Sequence, residues 1–140
     1  MEFRRFENTY VIRMDRGEEV VATLTALCRQ EGIRLASVEA IGAVDRAVVG
    51  LYDVDKKVFH RKEFQEPMEL TSLLGTVTEK DGKPYLHLHI TASRRDYTCI
   101  GGHLLTAYIN GACELYVEAF PGVFVGRYAD PATGINLYQF

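Results

Sequence analysis

The spacing of apolar residues predicts one helix near the amino terminus. Five apolar side chains recur at helical spacing and form a single stripe: Val20, Val21, Leu24, Leu27 and Cys28. Glu18 and Glu19 precede the stripe and suit the positive end of a helix dipole, and Gly32 follows it as a helix-ending residue. We therefore expect this helix to pack its stripe on a core, with Cys28 as a core residue.

Most of the remaining chain has the alternating or β-rich pattern that is typical of strands. The predicted strands are residues 10–14, 37–44, 46–52, 58–60, 69–79, 83–91, 103–109, 112–120, 123–128 and 135–140. Asp81-Gly82 and Asn110-Gly111 are hairpin turn signals, and residues 130–134 form the turn before the last strand. Because hairpins dominate and helical crossovers are scarce, we expect an α+β fold: a central, mostly antiparallel sheet with one main helix packed on it.

Length and composition indicate an ordinary globular protein. A chain of 140 residues suits one domain spanning residues 1–140, and contents of 47% hydrophobic and 25% charged residues are unexceptional. No apolar run approaches the roughly 20 residues that cross a bilayer, and the amino terminus lacks the apolar segment of a signal peptide. We expect a cytoplasmic protein with no membrane partner.

Charge and cysteine usage narrow the classes of function further. The net charge of −3 argues against extensive binding to a phosphate backbone, although Arg94 and Arg95 form a local basic pair. The three cysteines, Cys28, Cys99 and Cys113, are odd in number and lack Cys-x-x-Cys spacing. This pattern indicates free thiols in a reducing compartment.

The second half of the chain is rich in aromatic residues, and two interpretations of them stay open. The residues are Tyr97, Tyr108, Tyr116, Phe120, Phe124, Tyr128 and Tyr138. A sheet covered by one helix has a second face, and aromatic surface exposed there would favour self-association. The same side chains could equally fill the core of a single protomer.

The segment Leu86-His87-Leu88-His89-Ile90 carries the candidate chemistry. In a strand, alternate side chains share a face, so His87 and His89 point to one side and the aliphatic residues to the other. His103 follows in Gly101-Gly102-His103, where the glycines allow close backbone approach. Imidazole is a common ligand of transition metals, and three histidines with an open fourth position are typical of a catalytic zinc site.

The alternative interpretation of the histidines is a plain polar strand face. A cupin-like site is excluded, because no Glu follows the His-x-His pair at the expected distance. Hydrolytic chemistry would need a proton acceptor, for which Asp96, Glu114 and Glu118 are near in sequence. Cys99 is a further candidate ligand, although a buried thiol is the simpler interpretation.

These segments together resemble the plants-and-prokaryotes-conserved (PPC) domain family, as a stand-alone prokaryotic-type member. The resemblance lies in Arg16-Gly17-Glu18-Glu19-Val20, Ala40-Ile41-Gly42-Ala43-Val44, Glu69-Leu70-Thr71-Ser72-Leu73-Leu74-Gly75, His87-Leu88-His89, Gly101-Gly102-His103-Leu104, and Arg127 with Asp130 and Thr133-Gly134. No single segment is specific, but the ordered set covers nearly the whole chain.

The resemblance implies an α+β fold, a homotrimer, and a metal held by histidines that match His87, His89 and His103. It also implies that Glu69 lies near the subunit interface. In land plants the domain follows AT-hook segments that contact the DNA minor groove, but this chain has no Arg-Gly-Arg-Pro-type hook. DNA binding is therefore not carried over from the plant proteins.

Three functional hypotheses follow from the residues and the resemblance. The leading one is a small homotrimeric metal-binding protein, with zinc or another divalent transition metal on the three histidines and a small molecule or anion at the open position. The second is a metal-dependent hydrolase or lyase, with Glu69, Asp96 or Glu114 as candidate acid–base or interface residues. The third is a DNA-binding or regulatory scaffold.

Overall fold

Long, bent strands dominate the fold. The computed structural model describes residues 1–140 and contains eight strands and one helix. In chain order these are β1 (Glu2–Phe6), β2 (Thr9–Asp15), α1 (Val20–Glu31), β3 (Ala36–Asp53), β4 (Val58–Lys80), β5 (Lys83–Ser93), β6 (Cys99–Ala119), β7 (Gly126–Ala129) and β8 (Asn136–Gln139).

The helix has a defined residue at each end. The Glu19 carboxylate accepts hydrogen bonds from the backbone N–H groups of Val21 and Ala22, which would otherwise lack partners at the first turn. Gly32 ends the helix in the left-handed conformation, with φ of 66°, and donates its N–H to the carbonyl of Cys28. The predicted helix and the core position of Cys28 are confirmed, and burial raises the pKa of this thiol to about 12.

The four strands β3, β4, β5 and β6 are hydrogen-bonded to one another in a closed cycle. β3 pairs with β4 and β6, and β5 pairs with the same two strands from the opposite side. Every pairing is antiparallel except a single contact between β4 and β7. The predicted antiparallel sheet with one helix is confirmed, although the helix is a small part of a strand-dominated fold.

The strand predictions were wrong where a long strand was divided. Residues 103–109 and 112–120 belong to one strand, β6, because its pairing with β3 resumes after Asn110-Gly111: Val44 lies opposite Ile109, and Gly42 opposite Cys113. Gly111, with φ of 117°, thus permits a bulge rather than a hairpin turn. In the same way β3 joins residues 37–44 and 46–52, and β4 joins residues 58–60 and 69–79.

Other predictions met mixed outcomes. The Asp81-Gly82 turn is confirmed, with Lys80 opposite Lys83, whereas β1 was not predicted. All three cysteines are free, but Cys99 is exposed, so its interpretation as a buried thiol was wrong. The single helix, with 12 residues, could not cross a membrane.

Along β5, side chains that face the core alternate with side chains that face outward. Leu88, Ile90 and Ala92 are buried in the hydrophobic core, while the intervening side chains face outward. The β7–β8 hairpin lies over part of this outer face, where Tyr138 contacts Thr76 and Arg127 contacts Thr78. The hairpin therefore forms one wall beside the outward side chains of β5.

Candidate metal centre

His87, His89 and His103 meet on the outer face of two neighbouring strands. His87 and His89 alternate with the buried Leu88 on β5, so the predicted shared face is confirmed. His103 on β6 lies directly opposite His89 in the register of the two strands. The three histidines therefore come from one protomer.

The spacing of the three rings fits a single metal ion. Nε2 of His87 lies 3.1 Å from Nε2 of His89. Two ligands with Zn–N bonds of 2.0–2.1 Å at a tetrahedral angle would be about 3.3 Å apart. One nitrogen from each of the three rings lies within 4.8 Å of the others. The residues thus fit a three-histidine site that leaves a fourth position open.

Two glycines bring the strand of His103 into place. A Cβ on Gly101 would lie 2.6 Å from the carbonyl oxygen of Ile90, and a Cβ on Gly102 would lie 2.8 Å from that of Gly50. Gly102 also has φ of 150°, which L side chains rarely adopt. The predicted close approach at the double glycine is confirmed, and it sets β6 between β5 and the second half of β3.

The surroundings favour the uncharged form of two of the imidazoles, those of His87 and His103. Desolvation first, and then charge repulsion from His103, His89 and Arg127, together lower the pKa of His87 to about 4. Desolvation and then His89 likewise lower the pKa of His103. Neutral imidazole is the form that coordinates a metal, so these two rings are ready to act as ligands at neutral pH.

The histidines line a cavity of about 630 Å³. Its walls come from β5, from the start of β6, from the end of β3 with the following turn, and from the β7–β8 hairpin. Besides the histidines, the lining residues are Gly50, Leu51, Tyr52, Val54, Phe59, Tyr85, Gly101, Gly102, Arg127, Gly134, Ile135 and Asn136. Phe59 packs against the ring of His103 at a centroid distance of 5.9 Å, which restricts that imidazole.

Arg127 is the one Asp, Glu, Lys or Arg side chain in the cavity wall. Its Nε donates to Oγ1 of Thr78 at 2.7 Å, and its Nη1 donates to the carbonyl of Asn136 at 2.7 Å. The guanidinium also lies against the rings of Tyr85 and Tyr138, at 4.6 and 4.5 Å from their centroids. Sequence reasoning placed Arg127 only among the residues of the family resemblance and assigned it no role.

Tyr85 is a second cavity residue that sequence reasoning missed. It lies two positions before His87 and therefore on the same strand face, a spacing that could have revealed it. The Tyr85 hydroxyl accepts a hydrogen bond from Nδ2 of Asn136 at 3.2 Å, so its own proton remains available to donate. The hydroxyl of Tyr52, in contrast, donates to the carbonyl of Thr133 at 3.0 Å.

The predicted acid–base residues lie elsewhere. Glu69 and Glu114 border a different hollow, beside Ile41, and Asp96 accepts hydrogen bonds from Thr98 in the β5–β6 turn. No Asp or Glu lines the histidine cavity. Tyr85 is a lining side chain that can donate a proton at this site in place of a carboxylic acid.

A comparison with models of known protein families shows to which family the chain belongs. Residues 1–121 match the model of the Plants and Prokaryotes Conserved (PCC) domain, the family abbreviated PPC above. The chain belongs to the PPC domain family. The match ends before β7, so it includes the three histidines but not the hairpin that carries Arg127.

Several solved structures superpose closely on the chain. A candidate DNA-binding protein from Bacteroides thetaiotaomicron has a TM-score of 0.96 and 34% identity, over 99% of this chain and 96% of that one. A metal-containing protein from Archaeoglobus fulgidus has a TM-score of 0.89 and 37% identity, over 99% and 97%. A PPC protein from Pyrococcus horikoshii has a TM-score of 0.88 and 27% identity, over 99% and 94%. No curated protein matches the chain significantly.

Proposed function

We propose that this PPC-domain protein binds a divalent transition metal, with zinc as the first choice, through His87, His89 and His103. The observation that carries the proposal is the convergence of the three imidazoles, whose ligand nitrogens lie within 4.8 Å of one another. A relative at 37% identity that is named as metal-containing supports it.

The donor set and its surroundings favour a metal over a plain polar face. An all-imidazole set suits zinc and its neighbours in the transition series rather than magnesium or calcium, which prefer oxygen ligands. The walls of the cavity leave the fourth position accessible to a small molecule or anion. A bound metal would supply a Lewis acid there and would lower the pKa of a coordinated water.

Metal analysis of the purified protein tests the proposal. The parent protein is expected to hold about one ion per protomer after incubation with zinc and removal of the excess. The His87→Ala/His89→Ala/His103→Ala variant is expected to hold a negligible amount. His60→Ala is the matched control, because His60 is an exposed residue of β4 outside the cluster. Equal and negligible zinc in the parent and the triple variant would contradict the proposal.

The proposal includes a homotrimer. Three large apolar side chains are about half exposed and lie together on the outer face: Ile41 at 57%, Leu74 at 58% and Tyr116 at 47%. They lie around the exposed Glu39 of β3, which pairs with Leu74 on one side and with Tyr116 on the other. We call these three residues the apolar face. An exposed apolar surface of this kind supports self-association, and Glu69, in the hollow beside Ile41, would lie near the interface.

Nucleic-acid binding is the second candidate function, because a relative at 34% identity is named as a candidate DNA-binding protein. The local charges give it little support: Arg94 forms an ion pair with Glu66 at 2.8 Å, and the net charge is −3. A gel-shift series across salt concentrations tests it. A shift at low salt that weakens as salt increases would support DNA binding, since phosphate contacts are salt-dependent.

A further inference from the structure

We infer that the cavity receives a small organic anion whose carboxylate pairs with Arg127 while the same molecule reaches the three-histidine site. This inference rests on the proposed metal function and adds the chemical class of the ligand. It is carried by the contacts of Arg127, by the composition of the cavity walls and by the position of Arg127 and the histidines in one cavity.

Arg127 carries a positive charge that no carboxylate neutralises. Its two hydrogen-bond partners, the hydroxyl of Thr78 and the carbonyl of Asn136, are both uncharged. These bonds use Nε and Nη1 and leave Nη2 free to donate. The half-buried guanidinium forms no ion pair, and no Asp or Glu lines the cavity. Such a group favours an anion, and a carboxylate matches its planar donors.

The guanidinium is held in place before any ligand binds. The rings of Tyr85 and Tyr138 lie against it at 4.6 and 4.5 Å, and the two hydrogen bonds fix its plane. A group that is already ordered loses little conformational entropy on binding, so more of the interaction energy appears as affinity. The arrangement therefore resembles a preformed receptor more than a flexible surface arginine.

The walls favour a singly charged organic anion over inorganic phosphate. Arg127 is the only arginine in the lining, and no lysine accompanies it, so the cavity lacks the cluster of basic side chains that is typical of phosphate recognition. Leu51, Phe59 and Ile135 supply apolar surface for a carbon skeleton. Tyr85 supplies a hydroxyl proton for a polar group of the ligand.

Arg127 and the three histidines line the same cavity of about 630 Å³, so that one small molecule can contact both. Tyr85, which packs against the guanidinium, is two residues from His87 on the same strand face. This spacing corresponds to about 6.5–7 Å between their Cα atoms.

Cobalt(II)-loaded protein provides the test, because its visible absorption reports ligands that enter the coordination sphere. The probe is lactate, and lactamide is the uncharged comparison of similar size. We expect lactate to alter the spectrum at concentrations about tenfold or more below those that lactamide needs, as for a bond to a charged group. Arg127→Gln should weaken lactate binding by about 10–100-fold while cobalt affinity stays within about threefold.

Arg46→Gln is the matched control, because Arg46 also lies on a tyrosine ring, 3.7 Å from the centroid of Tyr108, but does not line the cavity. It should leave lactate binding unchanged. Equal responses to lactate and lactamide in the parent protein would overturn the inference, even if Arg127→Gln failed to fold. If lactate and lactamide give equal responses but the cobalt spectrum of the parent protein is normal, the proposal of a metal site still stands. Absence of any cobalt spectrum would overturn both.

Discussion

Arg127 donates a hydrogen bond of 2.7 Å from Nε to Oγ1 of Thr78, the one polar side chain that is fully buried in the protein. Thr78 in turn donates to the carbonyl of Tyr85 at 3.3 Å, so its hydroxyl joins β4, β5 and the β7–β8 hairpin. Through this hydroxyl, the hairpin wall of the cavity is attached to the strand that carries two of the histidines.

Replacement of Thr78 by valine should weaken this attachment. Thr78→Val removes the acceptor of Arg127 Nε and leaves that donor unsatisfied, which costs about 1–3 kcal/mol of unfolding free energy. Urea denaturation measures the loss. Thr71→Val is the control, since the exposed Thr71 hydroxyl bonds only a backbone carbonyl of β5 and should matter much less. Equal losses in the two variants would refute the anchoring role of Thr78.

Zinc should stabilise the protein against unfolding. A ligand that binds only the folded state at 100 times its Kd adds about 2.7 kcal/mol to the unfolding free energy. We expect this gain in thermal or urea unfolding of the parent protein and of His60→Ala, and its loss in His89→Ala. His89 is the informative position because it lies between the other two ligands, bonding His87 and pairing with His103. If zinc increased the unfolding free energy of His89→Ala as much as that of the parent protein, the result would contradict the three-histidine site.

The unfolding free energy of the metal-free protein should decrease as the pH is lowered from 6.5 toward about 4, because of His87. Its pKa is lowered from 6.5 to about 4 in the folded state, so between these values the unfolded chain binds more protons. This contribution to stability is complete above pH 6.5 and is lost as the pH falls toward 4. In the His87→Gln variant, the midpoint of urea denaturation should change less with pH over that range. The carboxylates whose pKa is lowered by partners, such as Glu79 beside Arg34, lose their contribution below the unfolded value of 4.5. An unchanged profile in His87→Gln would contradict the assignment.

The double glycine should be required for metal affinity. Gly102→Ala would place a Cβ 2.8 Å from the carbonyl oxygen of Gly50 and would strain a residue with φ of 150°, so β6 must shift at the residue beside His103. A displaced ligand should lower zinc affinity by about tenfold or more, in the range seen when the support of a metal ligand is removed. Gly126→Ala is the control, because its Cβ would meet only Gln139, at 3.8 Å. Competition against a chromophoric chelator measures the affinity of each variant, and equal values would contradict the role of Gly102.

The apolar face offers a direct test of the proposed trimer. Leu74→Glu places a second carboxylate beside Glu39 and should convert the trimer to a monomer, since burial of an unpaired carboxylate next to another one opposes association. Light scattering coupled to size-exclusion chromatography measures the mass. Val123→Glu, at an exposed loop residue outside the apolar face, should leave the mass unchanged. A parent protein that elutes with the mass of one protomer would contradict the trimer.

Local sequence signals predicted the features that depend on neighbouring residues. The shared face of His87 and His89 follows from the two-residue period of a strand, and the helix ends follow from Glu19 and Gly32. The Asp81-Gly82 turn is equally local. Its counterpart Asn110-Gly111 was misassigned, because the pairing of β6 with β3 continues on both sides of it.

The parts of the site that the sequence did not reveal depend on long-range packing. Arg127 reaches the cavity because the β7–β8 hairpin docks on Thr78, a contact between residues 49 positions apart. Glu69, Asp96 and Glu114 were candidates through sequence proximity or family resemblance, yet the path of the strands takes all three away from the cavity lining. A motif can specify the direction of a side chain, but not which distant element will face it.

The alternation of buried and outward-facing side chains along β5 also affects how this protein can evolve. Leu88 and Ile90 maintain the core, while the intervening His87 and His89 face outward and fill no part of it. Substitution at the outward positions can therefore alter ligand preference with little loss of foldability. Such a strand allows descendants to keep one scaffold while they exchange, retune or abandon the chemistry on its surface.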